Sequence, residues 1–440
     1  MQKIKYTLNG NHLLMMYAKN SRGIKRTQLQ RVILFAAFAY ILLSYISNFI
    51  GLPSMFTSLS IYLLIGVAGF YCYCNMTIKY VYYFEWGVLF LTLAVLSIVY
   101  CPSPSSANGE IYSLITSFLL TACIIQGVYD YSDIEKVMRY FFIAAFAISA
   151  ISLLLYRDML FSSDRFGTEI VGNPNALMLI LNFPVNILIY RCFIANKYKM
   201  IYFCMLAICV TVLLFTGSKK GLFIPLIFML LYMILSKKNK KKARTLVTIS
   251  IVIYSLYYLI FNVPELYTVI GSRVEELFAT YFGTGQIISK SDMSRIMMIK
   301  DGFKMFLDSP LWGHGINAFA VTGGYGHYSH NNYIEILSAL GLIGSITYYS
   351  IYVYCLKKLF WIRKLNKDTD GMCSFFIAML ICNMIFDWGA VSYNIFIIHM
   401  SIGLAVSYIQ IKKQEINIRS KEQRQNAIVN ESVKKVDVLV

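Results

Sequence analysis

The sequence predicts an all-α polytopic membrane protein with about twelve transmembrane helices and a large, partly helical external loop between spans nine and ten. Three observations predict it. Of 440 residues, 58% are hydrophobic and only 14% charged, with a mean hydropathy of +0.60; soluble domains carry roughly 45–50% apolar and about 25% charged residues. The apolar residues fall in runs of about 20, enough to cross a hydrocarbon core of ~30 Å at 1.5 Å per residue. The net charge of +18 sits mainly in short linkers between those runs, which is the positive-inside pattern. Such linkers assemble no basic groove, so nucleic acid is not an expected partner.

Taken in order, residues 1–30 form a basic cytoplasmic segment. Lys3, Lys5, Lys19, Arg22, Lys25 and Arg26, with Arg31 after them, precede the first apolar run without an acid. That run is too long for a cleaved signal core and reads as a signal anchor. Spans one to nine occupy 31–262, centred near residues 41, 67, 90, 119, 147, 183, 208, 228 and 254. Lys237, Lys238, Lys240, Lys241, Lys242 and Arg244 mark the cytoplasmic linker between spans eight and nine. Residues 263–331 form the external loop. Spans ten to twelve occupy 332–410, centred near 344, 381 and 402, with Lys357, Lys358, Arg363, Lys364 and Lys367 as a third cytoplasmic marker. An even number of spans returns residues 411–440 to the cytoplasm. The ten cysteines show neither zinc spacing nor a disulfide framework; inside apolar runs a thiol behaves as a small hydrophobe.

The external loop is expected to be structured. Ser272-Arg273-Val274-Glu275 has the form of a capping box. Ser291 or Asp292 is placed to cap a second helix, in which Ile296, Ile299, Phe303, Phe306 and Leu307 recur at helical spacing until Pro310 ends it. An amphipathic helix of this kind lies along a membrane surface or roofs a cavity. Long loops with internal structure are usually functional.

Several residues stand out chemically. Lys219 and Lys220 fall on the external side, against the orientation rule, after the turn Thr216-Gly217-Ser218. Free N–H groups at a helix start and two ammonium groups suit an anionic phosphate. Arg295 and Arg273, on the two loop helices, suit diphosphate because a guanidinium donates two parallel hydrogen bonds and stays charged. Three of the five histidines (His314, His327 and His330) lie in one glycine-rich stretch that runs into span ten. His330 stands at the boundary, followed by the helix-capping types Asn331 and Asn332, and is the candidate base. His314 and His327 are weaker candidates, and the cluster lacks carboxylates at metal-ligand spacing, so no metal or other cofactor is expected. Asn173-Pro174-Asn175 reads mainly as helix-start chemistry. Asp387, inside span eleven, is either functional or paired with Trp388 or an asparagine. Asp368-Thr369-Asp370 looks like the metal-binding acids of nucleotide-sugar transferases, but in a short linker it reads as chance.

Four patterns together, "GNPNALM" from residue 172, "TGSKKGLF" from 216, "SRIMMIKDGFKMFLDSPLWGHGINAF" from 294 and "HNNYIEILSALGLIGS" from 330, resemble the O-antigen polymerase and O-antigen ligase superfamily of bacterial envelope glycosyltransferases. The likeness covers about residues 172–350; the first five spans match by hydropathy alone. It implies a multi-pass protein of the bacterial inner membrane with a periplasmic active site. Its partners would be the bilayer and undecaprenyl-diphosphate-linked glycans as donor and acceptor, with a chain-length regulator as a further candidate. Transfer would invert the anomeric carbon without metal or nucleotide sugar. By the resemblance His330 matches the general base and Arg295 a diphosphate-site arginine. Lys219 stands where arginine is common, which keeps the charge and loses the fork; Lys220 is beside it. Arg273 joins the diphosphate set, and Asn331, Asn175 and Ser218 are supporting residues. The first expectation is a polymerase of lipid-linked repeat units making O-antigen or capsular polysaccharide. The alternative is a ligase moving glycan to lipid A–core. A transporter or flippase is a third class, disfavoured because ionisable groups gather at one loop instead of lining several spans.

Overall fold

In a bilayer every backbone N–H and C=O must be satisfied within the chain, so an apolar run folds as helix. The computed structural model describes residues 23–50, 52–76, 78–158, 165–167, 173–195, 197–236, 242–275, 290–365 and 371–437. It is all-helical, 84% helix, with no strand among the described residues. Lys3, Lys5, Lys19, Arg22, Lys237, Lys238, Lys240, Lys241, Lys367 and the Asp368-Thr369-Asp370 run lie outside the described residues.

The helices are α1 (Gly23–Ile50), α2 (Ser54–Asn75), α3 (Tyr82–Leu96), α4 (Pro104–Gln126), α5 (Tyr131–Leu155), α6 (Pro174–Ile194), α7 (Lys199–Phe215), α8 (Lys219–Leu235) and α9 (Lys242–Asn262). After the large loop's helix α10 (Lys290–Asp308) come α11 (Asn332–Leu365), α12 (Met372–Asp387) and α13 (Phe396–Asp437). Each of the twelve expected span centres falls in a helix. By length and apolarity, seven helices among the described residues are able to cross a membrane: α1, α2, α3 with its 3-10 extension, α4, α5, α6 and α11. Two shorter apolar helices, α7 and α12, join them.

The turns before α3 and α5 are tied together at one end of the bundle, and neighbouring helix ends are bridged there. Gln30 Nε2 donates to Gly127 O and Asp133 Oδ2 at 2.9 and 2.8 Å. Lys79 N donates to Gln126 Oε1 at 2.8 Å, Arg191 pairs with Glu135 at 3.2 Å, and Arg363 reaches Leu235 O. Within the bundle, α11 packs on α3, α12 and α13, α8 on α6 and α12, and α10 on α11. Lipid tails are as apolar as leucine, so close packing and polar bridges hold such helices together, each bridge worth about 0.6 kcal/mol. Trp86 Nε1 to Thr347 O (2.9 Å), Tyr45 Oη to Ile180 O (3.0 Å) and Asn383 Nδ2 to Ser401 Oγ (2.7 Å) are of this kind.

The loop helices differ in part from expectation. α10 ends at Asp308, two residues before Pro310, as the spacing predicts. Ser272 caps nothing. It has helical angles inside a run that begins at Pro264, and its hydroxyl bonds back to Thr268 O at 3.4 Å. Glu275 instead accepts from Tyr267 Oη at 2.9 Å. Pro264, with its fixed φ, starts the helix eight residues earlier than the serine does.

Helix α11 is broken at Gly341, where φ is 62° and ψ −159°. The break frees backbone groups, and the segment after α10 takes them up. His314 N and Gly315 N donate to Ser338 O and Ala339 O at 2.9 and 2.8 Å, while Leu342 N and Ile343 N donate to Pro310 O and Leu311 O at 2.8 and 3.3 Å. Two glycines make the approach possible. A Cβ on Gly341 would lie 2.4 Å from the Leu311 carbonyl, and one on Gly313 2.5 Å from that of Ala339. Positive φ alone costs an alanine about 1–2 kcal/mol. Gly341→Ala and Gly313→Ala are each expected to lower the melting temperature of the detergent-purified protein by several degrees. Gly66→Ala, where an added Cβ meets nothing within 4 Å, is the control and should not.

Candidate active site

The backbone staple at Gly341 fixes where α11 begins. Its first residues carry a cap built by side chains: Asn331 Oδ1 accepts from Ile334 N at 3.1 Å, as its residue type predicts. Glu335 Oε2 reaches back to Ser329 N at 2.8 Å, and Ser329 Oγ donates to Asn331 O at 2.9 Å. Between Ser329 and Asn331 the chain turns through His330, which adopts the left-handed conformation with φ 56°. The His330 ring is thereby turned out of the cap toward Tyr328 (ring centroids 4.6 Å apart, edge-on) and His327 (5.2 Å).

The turn is held against the α12–α13 connection. Asn331 Nδ2 donates to Trp388 O at 3.1 Å. Asn332 Oδ1 accepts from Ser392 N and Tyr393 N at 2.9 and 3.0 Å, and its Nδ2 donates to Asp387 Oδ2 and Tyr349 Oη at 3.2 and 3.1 Å. Asp387 also accepts from Tyr349 and Ser392. This buried carboxylate is therefore paired with an asparagine, one of the two structural partners the sequence offers.

α10 brings Arg295 to the same place. Buried Gly302 lets α10 lie directly on α11, since a Cβ there would be 2.3 Å from Ile334 Cγ2. Arg295, about two turns earlier, acts electrostatically on His330, Lys220 and Arg165. Lys220 comes from the first turn of α8. Its Nζ donates to Gly389 O and lies 5.3 Å from the Phe386 ring centroid. The charge of Lys220 bears on His330. Lys219 is half-buried at the helix start, about 100° around the helix from it. Ser218 is the residue before α8; it makes no side-chain cap bond, and its N–H donates to Thr216 Oγ1 at 3.3 Å.

One cation of the group is absent from the sequence reading. Arg165 Nε donates to Thr216 O at 2.8 Å and its Nη2 to Asn175 Oδ1 at 3.3 Å. It joins the turn before α8 to the start of α6, where Asn173 caps the helix by accepting from Asn175 N at 2.9 Å. Burial first, then the neighbouring Arg273 and Arg295, lower the Arg165 pKa to about 10. Arg273 thus belongs to the cluster through Arg165. The orientation argument that singles out Lys219 and Lys220 applies equally to the loop before α6. That loop also holds Arg157, whose side chain is 78% exposed, and the sequence does not separate the two.

The cations tune the histidine. Burial, followed by Arg295, His327 and Lys220, lowers the His330 pKa from 6.5 to about 4. The imidazole is thus neutral near pH 7 and able to accept a proton. The other loop histidines have different surroundings. His314 Nε2 is 2.7 Å from Met305 O in the last turn of α10, a helix-end contact. His327 is exposed, with Nδ1 3.0 Å from Tyr328 O.

Beside this cluster an apolar groove of about 960 Å³ runs between α6, α7, α8 and α9. Phe193, Leu206, Val210, Gly221, Pro225 and Leu256 are among its walls, and Gly221 directly follows Lys220. The site thus brings together a neutral base and several cations, and the residue after Lys220 lines an apolar groove.

The sequence profile of the O-antigen ligase family matches residues 204–349. That stretch contains Lys219, Lys220, Arg273, Arg295 and His330, and the match supports the O-antigen polymerase and ligase superfamily. No curated protein sequence matches the chain.

Asn332 joins three segments through four hydrogen bonds, and a buried group left unpaired costs about 1–3 kcal/mol. Asn332→Ala is therefore expected to lower the melting temperature clearly, with Asp387→Asn adding little once Asn332 is gone. Additive losses in that double-mutant cycle would mean the two side chains act separately.

Proposed function

We propose that this protein of the O-antigen polymerase and ligase superfamily polymerises undecaprenyl-diphosphate-linked oligosaccharide repeat units by inverting, metal-independent transfer. The observation that carries the reading is that Arg295 and Lys220, from separate segments, both act on one neutral histidine, with Arg165 coupled to them through Arg295. We propose also the twelve-span layout: residues 1–30 and 411–440 in the cytoplasm, 31–262 and 332–410 in the membrane, and loop 263–331 on the periplasmic face of a bacterial inner membrane.

An acceptor sugar hydroxyl attacks the anomeric carbon from the face opposite the diphosphate. His330 takes the hydroxyl proton, the new C–O bond forms, and the bond to the diphosphate oxygen breaks with its electron pair. Undecaprenyl diphosphate leaves. Arg295, Arg165, Arg273 and Lys220 balance the charge that develops on it, with Lys219 at the margin. Asn175 orients Arg165, Asn331 anchors the His330 turn, and Ser218 starts the helix that carries Lys220. A base of pKa about 4 is weak; burial is the larger cause, and the cations that add to it are neutralised once the diphosphate binds, which strengthens the base in the complex. The apolar groove beside Lys220 suits the polyprenyl tail.

The match to the O-antigen ligase family favours a second reading, an O-antigen ligase that moves glycan to lipid A–core. Purified protein given the lipid-linked repeat unit, with and without lipid A–core, separates them: lengthened lipid-linked glycan supports the polymerase, transfer to the core the ligase. A requirement for nucleotide sugar would remove both.

His330→Ala is expected to reduce transfer by about 10²–10⁴-fold while undecaprenyl diphosphate still binds. Arg165→Ala should weaken that binding about tenfold or more, a charge-assisted hydrogen bond being worth roughly 1.5–3 kcal/mol. The acid limb of kcat/KM reports the base of the free enzyme, so it is expected near pH 4 rather than 6.5. Removing Arg295 removes a charge that opposes protonation, so in Arg295→Ala the limb moves upward, though burial keeps it below 6.5. A wild-type limb at 6.5 or above would remove His330 from the role.

A further inference from the structure

His330 has two unlike sets of neighbours. Arg295 and Lys220 act on it electrostatically. Tyr328 and His327, both exposed, lie against its ring, and two carboxylates act on Tyr328. Burial, then Glu110 and Glu335, raise the Tyr328 phenol above its usual pKa, while Arg295 opposes them. Tyr328 therefore feels both acids and one of the cations.

The two acids are used differently. Glu335 is buried and committed to Ser329 N, where it holds the His330 turn. Glu110, on the second turn of α4, is half-buried, and one of its oxygens accepts from Asn394 Nδ2. Asn394 is itself fixed, its carbonyl accepting from Ser117 Oγ at 2.7 Å. The second Glu110 oxygen has no hydrogen-bond partner among the described residues.

The ring surfaces beside it are also set in place. Tyr325 stacks on Phe319 at 5.8 Å and 9°, and its hydroxyl donates to Asp301 at 2.7 Å. Tyr325, His327 and Tyr328 then follow one another toward His330. Flat rings next to an anchored carboxylate suit a sugar, which has apolar C–H faces and a rim of hydroxyl donors. A diphosphate is repelled from the same place by Glu110, so charge alone sorts the two ends of a lipid-linked glycan.

We propose that the acceptor glycan binds beside His330 along this row of rings, with Glu110 accepting a sugar hydroxyl and Tyr325, His327 and Tyr328 lying against the sugar faces. This rests on the transferase reading above. It is tested on the full-length protein in nanodiscs with two probes. One is undecaprenyl diphosphate. The other is the water-soluble oligosaccharide that mild acid releases from the source cell's lipid-linked glycan. Glu110→Gln and Tyr328→Ala should weaken oligosaccharide binding about tenfold or more and leave undecaprenyl diphosphate affinity within about twofold. Tyr328→Phe keeps the ring and should bind like wild type; Arg295→Ala should show the reverse selectivity. In transfer assays Glu110→Gln should raise the acceptor KM. Unchanged oligosaccharide affinity in both variants, with wild type still transferring, overturns the acceptor site and spares the transferase reading. Loss of both probes in Glu110→Gln and Tyr328→Ala overturns it as well, because the residues then support the fold alone. A wild type that binds the oligosaccharide through Glu110 but transfers nothing sinks the transferase reading instead.

Discussion

The backbone staple between residues 310–315 and the break in α11 is the constraint on which the rest of the site depends. Unpaired carbonyls and amides at membrane depth each cost several kcal/mol, so α11 can break at Gly341 only if something fills the gap. The segment after α10 fills it with four hydrogen bonds, two in each direction. Once that segment is docked, α10 has little freedom: it must run back along α11, over Gly302, and so delivers Arg295 beside the residue that opens α11. The order of loop helix, proline, glycines and histidine in the sequence is the order in which this geometry is built.

A second constraint is electrostatic. Gathering Arg165, Arg273, Arg295 and Lys220 is unfavourable unless hydrogen bonds and a ligand offset the repulsion. The chain supplies some of that from neutral acceptors: Thr216 O and Asn175 for Arg165, Gly389 O for Lys220. A carbonyl acceptor holds a cation in place while carrying no formal charge of its own. Asp387 and Glu335, by contrast, are occupied by donors of the surrounding turns and shape the site without facing it.

What was legible in the sequence follows from range. Helices were legible because an apolar run is a local property, and so were the Asn173-Pro174 start, the Asn331 cap and the stop before Pro310. The Ser272 cap failed because Pro264 had already begun a helix upstream, a competition that a four-residue motif does not register. The choice between Lys219 and Lys220 depends on how α8 is rotated against α12, and that between Arg157 and Arg165 on which way one loop folds. The break at Gly341 reads in the sequence as uninterrupted span, because its cause lies 30 residues earlier in Leu311. Glu110 is more than 200 residues from His330, and no spacing rule connects them.

The backbone at position 330 draws attention for its own reason. A φ of 56° is comfortable for glycine and tolerable for asparagine, yet an imidazole stands there, and its strain of about 1–2 kcal/mol is borne by the Asn331 and Asn332 anchors. Glycine here would relieve that backbone strain, so the scaffold is less sturdy for carrying an imidazole at this turn.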